Sequence, residues 1–111
     1  MKNEEYNLQK KCVQWFNYQY PKQQGLLYMN FNNPKNKING ALMKAAGMVA
    51  GVSDLTYLHK GQAYFIELKT PQGRMSEKQK LWESQVTGAL FPYSVVREFS
   101  DFVGLIKEIN K

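Results

Sequence analysis

The strongest constraint on the fold is a pair of apolar segments joined by a short polar connection. One segment covers residues 51–58, residues 59–62 follow as His-Lys-Gly-Gln, and the second segment covers residues 63–70. A glycine in a short connection between two such segments is typical of a β-hairpin. The second segment is apolar enough to lie at the centre of a sheet. We therefore expect a hairpin whose second strand is a central strand.

Periodicity and turn residues predict the elements that precede this hairpin. Apolar residues at helical spacing predict a helix over residues 4–20, which Pro21 ends. Residues 26–29 form a short apolar run and predict a buried strand. The segment 30–39 is rich in turn-forming residues and predicts a basic loop. Residues 41–46 are good helix formers and predict a short helix.

The elements after the hairpin complete the fold. Ser76 with Gln79 three residues later has the pattern of a capping box and predicts a helix that ends near Gly88. The residues of this helix expected to face inward are Leu81, Trp82 and Val86. Residues 93–97 predict a further strand, and Ser100 is expected to cap a last helix. The order of elements predicts an α/β sandwich around a small mixed β-sheet flanked by helices.

Length and charge limit the classes of protein that this chain can belong to. A chain of 111 residues has room for one domain, residues 1–111, with a single core. Fifteen basic residues against nine acidic ones give a net charge of +6 and favour a polyanionic partner, most often nucleic acid.

Several other classes are disfavoured by the sequence. No apolar run approaches the ~20 residues of a membrane span, and the polar N-terminus does not resemble a secretory signal, so we expect a cytoplasmic protein without membrane association. One cysteine, Cys12, excludes an intrachain disulfide framework and a cysteine-based zinc site. A single histidine, His59, is expected in the hairpin turn in contact with solvent. Any metal would then be a hard ion bound by oxygen, such as Mg²⁺ or Mn²⁺.

Three charged residues interrupt the two apolar segments of the hairpin. Asp54 lies in the first segment, and Glu67 and Lys69 lie in the second. Because side chains alternate along a strand, Glu67 and Lys69 share a face, and Asp54 can converge on them from the neighbouring strand. One interpretation is an ordinary ion pair on an exposed face of the sheet. The other is a metal site with two carboxylates and the main-chain carbonyl of Leu68, in which Lys69 orients water or stabilises charge on a phosphate.

Polar residues in two predicted helices also allow both a structural and a functional interpretation. Glu5 lies in the first turn of the first helix, where a carboxylate is favourable without any function, and Glu4 beside it is equally placed. Gln79 is accounted for by the capping box alone. Tyr18, Tyr20, Tyr28 and Phe31 lie near the basic loop and could border a DNA groove or a dimer contact.

Four segments in order carry a resemblance to a known family. They are Glu5-x-x-x-Gln9, then Lys44-Ala45-Ala46-Gly47 leading to Gly51-Val52-Ser53-Asp54-Leu55, then Ile66-Glu67-Leu68-Lys69-Thr70, and then Gly73-Arg74-Met75-Ser76-x-x-Gln79. Together they resemble the virus-type replication-repair nuclease (VRR-NUC) family of the PD-(D/E)XK nuclease superfamily. One departure is Ser53, where the superfamily motif has proline. Proline stiffens the backbone there and has no chemical role, so the departure leaves the metal site intact.

The resemblance implies a restriction-endonuclease-like fold and metal-dependent hydrolysis of phosphodiester bonds. It implies that Asp54, Glu67 and the Leu68 carbonyl bind the metal and that Lys69 is the catalytic lysine. It implies a supporting acidic role for Glu5, which is also a possible metal ligand, and a supporting polar role for Gln79. Short stand-alone members of the family, typical of phages and bacteria, look like homodimeric enzymes that act on branched DNA such as four-way junctions. The resemblance implies the same for this chain.

The resulting expectation is a homodimeric DNA endonuclease that uses Mg²⁺ or Mn²⁺ and prefers branched DNA, as a Holliday-junction resolvase does. The candidate contacts to DNA phosphates are Lys35, Lys37, Lys44, Arg74 and Lys78. One alternative is a non-catalytic DNA-binding module that keeps the nuclease fold. Another is a nuclease with the same site that acts on flaps or on linear duplexes.

Overall fold

A computed structural model describes residues 3–31 and 37–111 of the chain. Its elements are α1 (Asn3–Gln19), a 3₁₀ turn (Pro21–Gln23), β1 (Leu27–Met29), α2 (Lys37–Ala45), β2 (Leu55–His59), β3 (Gln62–Leu68), α3 (Glu77–Gly88), β4 (Tyr93–Val96) and α4 (Phe99–Ile109). Half of the predicted basic loop, residues 32–36 and with them Lys35, lies outside the described residues. Residues 37–39 of that predicted loop instead belong to α2.

The predicted hairpin is confirmed and forms the middle of the sheet. β2 and β3 are antiparallel, with Leu55 opposite Ile66 at one end and His59 opposite Gln62 at the other. The two residues between them, Lys60 and Gly61, both have positive φ, of 48° and 80°. Positive φ at both central positions is typical of the type I′ turn, whose twist matches that of the two strands.

The sheet is mixed, as the order of predicted elements indicates. The strand order is β1-β2-β3-β4, in which β1 and β2 are antiparallel and β3 and β4 are parallel. A parallel pair requires a crossover connection, and α3 supplies it between β3 and β4. β3 is therefore a central strand, with the antiparallel β2 on one side and the parallel β4 on the other.

One face of the sheet forms the hydrophobic core with α1 and α4. The fully buried residues on this face include Leu55, Tyr57, Ile66 and Leu68, and the helices contribute Cys12, Phe16, Phe102 and Ile106. Trp15 packs edge-on against Phe99 and Phe102 and so joins the two helices. Cys12 is a small residue of this core, and burial raises the pKa of its thiol to about 12.

The opposite face of the sheet is covered only in part. Trp82 of α3 packs against Phe65 of β3 and Tyr93 of β4. The outer end of this face, toward β1, remains open.

Among the described residues, no helix has the length and apolar character needed to cross a bilayer.

Several sequence-based predictions about the strands were wrong, for tertiary reasons. β1 is an edge strand of which only Leu27 is buried, whereas Tyr28 and Met29 are exposed on its two faces. Residues 51–54 do not form a strand: β2 begins at Leu55, and Gly51 has a φ of +85°. His59 is the last residue of β2, and its ring is half-buried against the ring of Tyr57.

Two predictions about the helices were also wrong. Leu81 was expected to face inward, but 61% of it is exposed, because α3 rests on the sheet through Trp82 and Val86. Glu98, and not Ser100, is the N-cap of α4, and its backbone N–H donates to Asp101. The capping box of α3, formed by Ser76 and Gln79, is confirmed.

Candidate functional site

Asp54 and Glu67 meet where β2 begins and β3 ends. Because Leu55 lies opposite Ile66, position 54 lies opposite position 67, and alternation places both side chains on the face away from the core. Asp54 Oδ2 accepts a hydrogen bond of 2.8 Å from the backbone N–H of Leu68. The two carboxylates therefore converge, although Asp54 precedes its strand and does not lie within it.

Glu67 is a buried carboxylate whose two oxygens differ in their surroundings. Only 1% of the residue is exposed. Oε2 accepts a hydrogen bond of 2.9 Å from Gln79 Nε2 and lies 3.7 Å from Lys69 Nζ. Oε1 is buried and has no hydrogen-bond partner among the described residues. A buried hydrogen-bond acceptor without a partner destabilises the folded protein, and such an atom indicates a site that binds a ligand.

Asp54 and Glu67, the acid pair, lie in surroundings that disfavour their ionised forms. Burial is the main cause that raises the pKa of Glu67 to about 8, and the adjacent charge of Asp54 raises it further, against the opposing effect of Lys69. Burial also raises the pKa of Asp54, while the hydrogen bond from Leu68 lowers it. Two ionised carboxylates in this position need a proton or a cation between them.

Lys69 follows β3 directly and faces the same pocket. Its backbone N–H donates to Val96 O at 3.0 Å, which continues the pairing of β3 with β4 by one residue. The residue is 8% exposed. The ion pair that one interpretation expected between Lys69 and Glu67 therefore exists, but it is buried and does not lie on an exposed face.

Gln79 joins the start of α3 to the acid pair. Its backbone N–H donates to Ser76 Oγ at 3.2 Å, and its Oε1 accepts from the Ser76 backbone N–H at 2.8 Å. The remaining amide nitrogen donates to Glu67. Gln79 is thus a helix-capping residue and a partner of Glu67 at the same time.

Gly51 allows α3 to approach the loop before Asp54. A Cβ atom on Gly51 would lie 2.3 Å from Lys78 O and 2.9 Å from Gln79 N, and the φ of +85° is unfavourable for any other residue. Only glycine fits here, and the contact fixes the position of the first turn of α3.

Helix α1 brings Glu5 to this region, and Gln9 lies one turn further along the same helix. Glu5 is half-buried, and its charge raises the pKa of both Asp54 and Glu67, so it lies close to the pair. Gln9, one turn later, is 8% exposed, and its Oε1 is buried without a hydrogen-bond partner among the described residues. Gln9 belongs to the motif that carries the family resemblance, but no role was predicted for it.

Two further residues near the site were not predicted. Burial raises the pKa of Tyr93, and the charges of Glu67, Glu83 and Asp54 raise it further, so its buried hydroxyl lies near the acids. Arg97 Nη1 donates to Thr70 O at 2.9 Å and to Gly73 O at 2.7 Å, and it thereby fixes the turn that follows Lys69. The position of Arg97 at the end of a strand parallel to β3 was the available signal.

The predicted phosphate contacts lie on the surface. Lys44, Arg74 and Lys78 are exposed. Arg74 lies just after the turn fixed by Arg97, and Lys78 precedes Gln79. Lys35 lies outside the described residues, as does the side chain of Lys37. The role of each of these residues in DNA binding stays a prediction.

The donor set of the pocket fits a hard divalent cation. Asp54 and Glu67 supply carboxylate oxygens, and the partnerless Oε1 of Glu67 lacks the hydrogen bond that a closed polar cluster would provide. Within residues 3–31 and 37–111, no group of three or more histidine, cysteine or acidic side chains is arranged to hold a metal ion. Mg²⁺ is suited to such a site because it is often bound by one or two carboxylates and keeps several waters.

Comparisons with known proteins agree with this geometry. A sequence model of the VRR-NUC domain matches residues 3–100. A solved structure described as a VRR_NUC domain protein superposes with a TM-score of 0.79, at 16% sequence identity, and the match covers 98% of this chain and 89% of that chain. A search of curated proteins found no significant match. The chain therefore belongs to the VRR-NUC family, whose PD-(D/E)XK fold it shares, and this membership implies a nuclease-type function in DNA processing.

Proposed function

We propose that the protein is a DNA endonuclease that depends on Mg²⁺ or Mn²⁺ and hydrolyses phosphodiester bonds, with a preference for branched DNA. The observation that carries the proposal is Glu67. It is a buried acid with one oxygen held by Gln79 and the other without a partner, next to a second acid and a buried ammonium group. Such an arrangement is unfavourable for folding and is typical of a site that binds a ligand.

In this proposal Asp54, Glu67 and the Leu68 carbonyl hold the ion, and Glu5 supports it from α1. Gln9 lies one helical turn after Glu5, and in this proposal its partnerless Oε1 adds a neutral oxygen. When bound, a divalent ion supplies Lewis-acid stabilisation of the charge that develops on the phosphate. Gln79 keeps the carboxylate of Glu67 in a fixed orientation through its hydrogen bond of 2.9 Å.

Lys69 has a separate role in the chemistry. Its backbone is held by Val96, and its ammonium group is kept close to Glu67. From that position it orients the attacking water or stabilises negative charge on the phosphate. Because the side chain is almost fully buried, its position is set before the substrate binds.

The non-catalytic module is the rival function. The net charge of +6 fits DNA binding with or without catalysis. A module without chemistry, however, gains nothing from two converging acids and a buried lysine, because a buried ion pair is weak support for stability. The geometry of Asp54, Glu67 and Lys69 therefore favours the enzyme.

The preference for branched DNA and the homodimer rest on the family resemblance. A two-fold dimer would present two sites to the two strands of a symmetric junction. Flaps and linear duplexes are the alternative substrates for the same site. Light scattering on the purified protein measures its mass in solution, and a monomeric mass at the protein concentrations that give cleavage would remove the dimer from the proposal.

The deciding experiment is a cleavage assay on a panel of four-way junctions, flaps and linear duplexes with Mg²⁺, Mn²⁺ or EDTA. We expect cleavage with either metal and none in EDTA. Lys69→Ala and Glu67→Gln should reduce the rate by about 10²-fold or more while DNA binding persists. Lys80→Ala is a matched control, because Lys80 is exposed and pairs only with Glu77 on the same helix. Wild-type rates for Lys69→Ala would contradict the assigned chemistry.

A further inference from the structure

A groove lies on the open face of the sheet, beside the acid pair. Its volume is about 480 Å³. The aromatic and methionine residues that line it are Tyr28, Met29, Phe31, Met48, Phe65 and Trp82. Tyr28 and Phe31 are exposed to 43% and 57%, so these rings face solvent in the free protein. Mostly apolar grooves of this size are typical of ligand sites.

A few polar groups are fixed on the floor of the groove. Asn30 Nδ2 donates to Thr56 Oγ1 at 2.8 Å and to Ser53 O at 3.0 Å. The side chains of Asn30 and Thr56 line the groove. The backbone N–H of Asn30 donates to Asp54 O at 2.9 Å. The floor of the groove is therefore connected directly to the residue that carries one of the two acids.

The groove and the acid pair are also close along β3. Phe65 precedes Glu67 by two residues and points to the same face of the sheet. Two residues along a strand span about 7 Å, which is comparable to the step between neighbouring nucleotides in an extended single strand. A DNA strand with one phosphate at the acid pair thus has a neighbouring nucleotide at the groove.

We propose that this groove binds an unpaired nucleobase next to the phosphate held at the acid pair. The proposal rests on the proposed function and deepens it, because it names a feature of the substrate, an unpaired base beside the cleaved phosphate, that the protein would recognise. Bases of any sequence stack on aromatic rings, and the net charge of +6 attracts the backbone that carries them. Two exposed lysines are close in sequence to residues that line the groove: Lys44 is in the last turn of α2, three residues before Gly47, and Lys60 lies two residues after Leu58.

A second copy of the chain is the competing occupant, and the position of the groove argues against it. Two residues that line the groove adjoin the acid pair: Phe65 lies two residues before Glu67 on β3, and the backbone N–H of Asn30 donates to Asp54 O. Another protein seated there would cover the approach of a DNA strand to Asp54 and Glu67. DNA bound for cleavage and a partner on this face would therefore exclude each other.

The test measures binding of a labelled single-stranded oligonucleotide of a few nucleotides, too short to shift its register, to the full wild-type chain with Ca²⁺, a hard cation that carboxylates bind. The oligonucleotide is recovered afterwards to verify that it is intact. A set of oligonucleotides carries one abasic site at successive positions and keeps the same charge. We expect an abasic site at one or two positions to weaken binding by about 5- to 150-fold, the range for loss of one stacked base. Phe31→Ala should weaken binding of the intact strand and abolish the sensitivity to the abasic site.

Tyr18→Ala is the matched control, because Tyr18 is an aromatic residue of α1 with 83% exposure and does not line the groove. It should bind both oligonucleotides as the parent does. Equal binding of intact and abasic strands by the parent protein would overturn the inference, as would no binding of single strands. A fall in the solution mass caused by Phe31→Ala would identify the face as a contact between copies and would overturn it too.

The failure of this inference is distinguishable from failure of the proposed function. Base-dependent binding by a protein that cleaves no DNA with Mg²⁺ or Mn²⁺ would support the groove and remove the nuclease. Metal-dependent cleavage that is insensitive to abasic sites at every position would support the nuclease and overturn the groove.

Discussion

Gln79 Nε2 donates a hydrogen bond of 2.9 Å to Glu67 Oε2 while the oxygen of the same amide closes the capping box of α3. One side chain therefore links the start of a helix to a buried acid of the central strand. The amide has a fixed orientation because its two ends have different partners. The orientation of Glu67 consequently depends on the position of α3, and four predictions concern the residues that set this arrangement.

The first prediction separates the two roles of Gln79. Gln79→Ala removes the reciprocal half of the capping box and leaves Glu67 Oε2 without its donor. We expect a loss of stability of about 1–3 kcal/mol and a fall in the cleavage rate of about 10- to 100-fold. Chemical denaturation and single-turnover cleavage measure the two effects.

Ser76→Ala is the matched control for Gln79→Ala. It removes the Oγ acceptor of the cap but leaves the hydrogen bond between Gln79 and Glu67 in place. Stability should fall by about 1 kcal/mol, with cleavage close to the wild-type rate. An equal loss of activity in the two variants would show that the cap alone, and not the bond to Glu67, affects cleavage.

The second prediction concerns the pH dependence of stability without metal. The folded protein keeps a proton on Glu67 up to a pKa of about 8, whereas the unfolded chain releases it near the ordinary value of 4.5. The unfolded state therefore binds fewer protons between these values, and the free energy of unfolding falls as the pH rises from 4.5 to 8. The loss should be on the order of a few kcal/mol, visible as a lower Tm at pH 8 than at pH 5.5 in EDTA.

Two comparisons check this assignment. Glu67→Gln should flatten the dependence of Tm on pH, because the amide does not titrate. Mg²⁺ or Mn²⁺ should raise the Tm of the wild-type protein more at pH 8 than at pH 5.5, because a metal requires the deprotonated acids. A wild-type Tm in EDTA that rises from pH 5.5 to pH 8 would contradict the raised pKa of Glu67.

The third prediction concerns the contact between Gly51 and α3. In Gly51→Ala the new Cβ would lie 2.3 Å from Lys78 O at a φ of +85°, so the first turn of α3 must move. We expect a loss of stability of about 2 kcal/mol or more together with reduced cleavage, because Gln79 moves with this turn. Gly88→Ala at the other end of α3 has open space around its Cβ and should keep both properties. Thermal melts and cleavage rates of the two variants decide the matter.

The fourth prediction concerns Arg97 and the turn after Lys69. Arg97→Ala removes the donor to Thr70 O and Gly73 O, and we expect a loss of stability of about 1–3 kcal/mol and slower cleavage. Arg97→Lys should recover only part of both, because one ammonium group lacks the planar fork of guanidinium. Lys107→Ala, a surface change on α4, should lie within about 0.5 kcal/mol of wild type. Full activity in Arg97→Ala would show that cleavage does not depend on the hydrogen bonds from Arg97 to this turn.

The sequence predicted those parts of the fold that local signals determine. The hairpin followed from two apolar segments around Lys60 and Gly61, and the start of α3 followed from Ser76 and Gln79. The burial of β1 and the inward orientation of Leu81 were predicted wrongly, because both depend on which element packs against them. Local patterns contain no information on that packing, which only the assembled sheet determines.

The candidate site was predictable to a similar extent. Alternation along the strands was enough to bring Asp54 and Glu67 to one face, and the register of β2 and β3 agrees with it. Gln9, Tyr93 and Arg97 were not assigned roles, because α1 and β4 lie far from the hairpin in sequence. Their positions relative to the hairpin are created by the tertiary fold, and no spacing within one segment indicates them.

The burial of Cys12 has a practical consequence for studying this protein. Its thiol is enclosed between α1 and the sheet, and burial keeps it protonated at neutral pH. Alkylating reagents require the thiolate, so they will leave the native chain unmodified. A second cysteine introduced at the exposed hairpin position Lys60 would therefore accept a single fluorophore, and energy transfer from labelled DNA could then report how the bound strand runs across the protein.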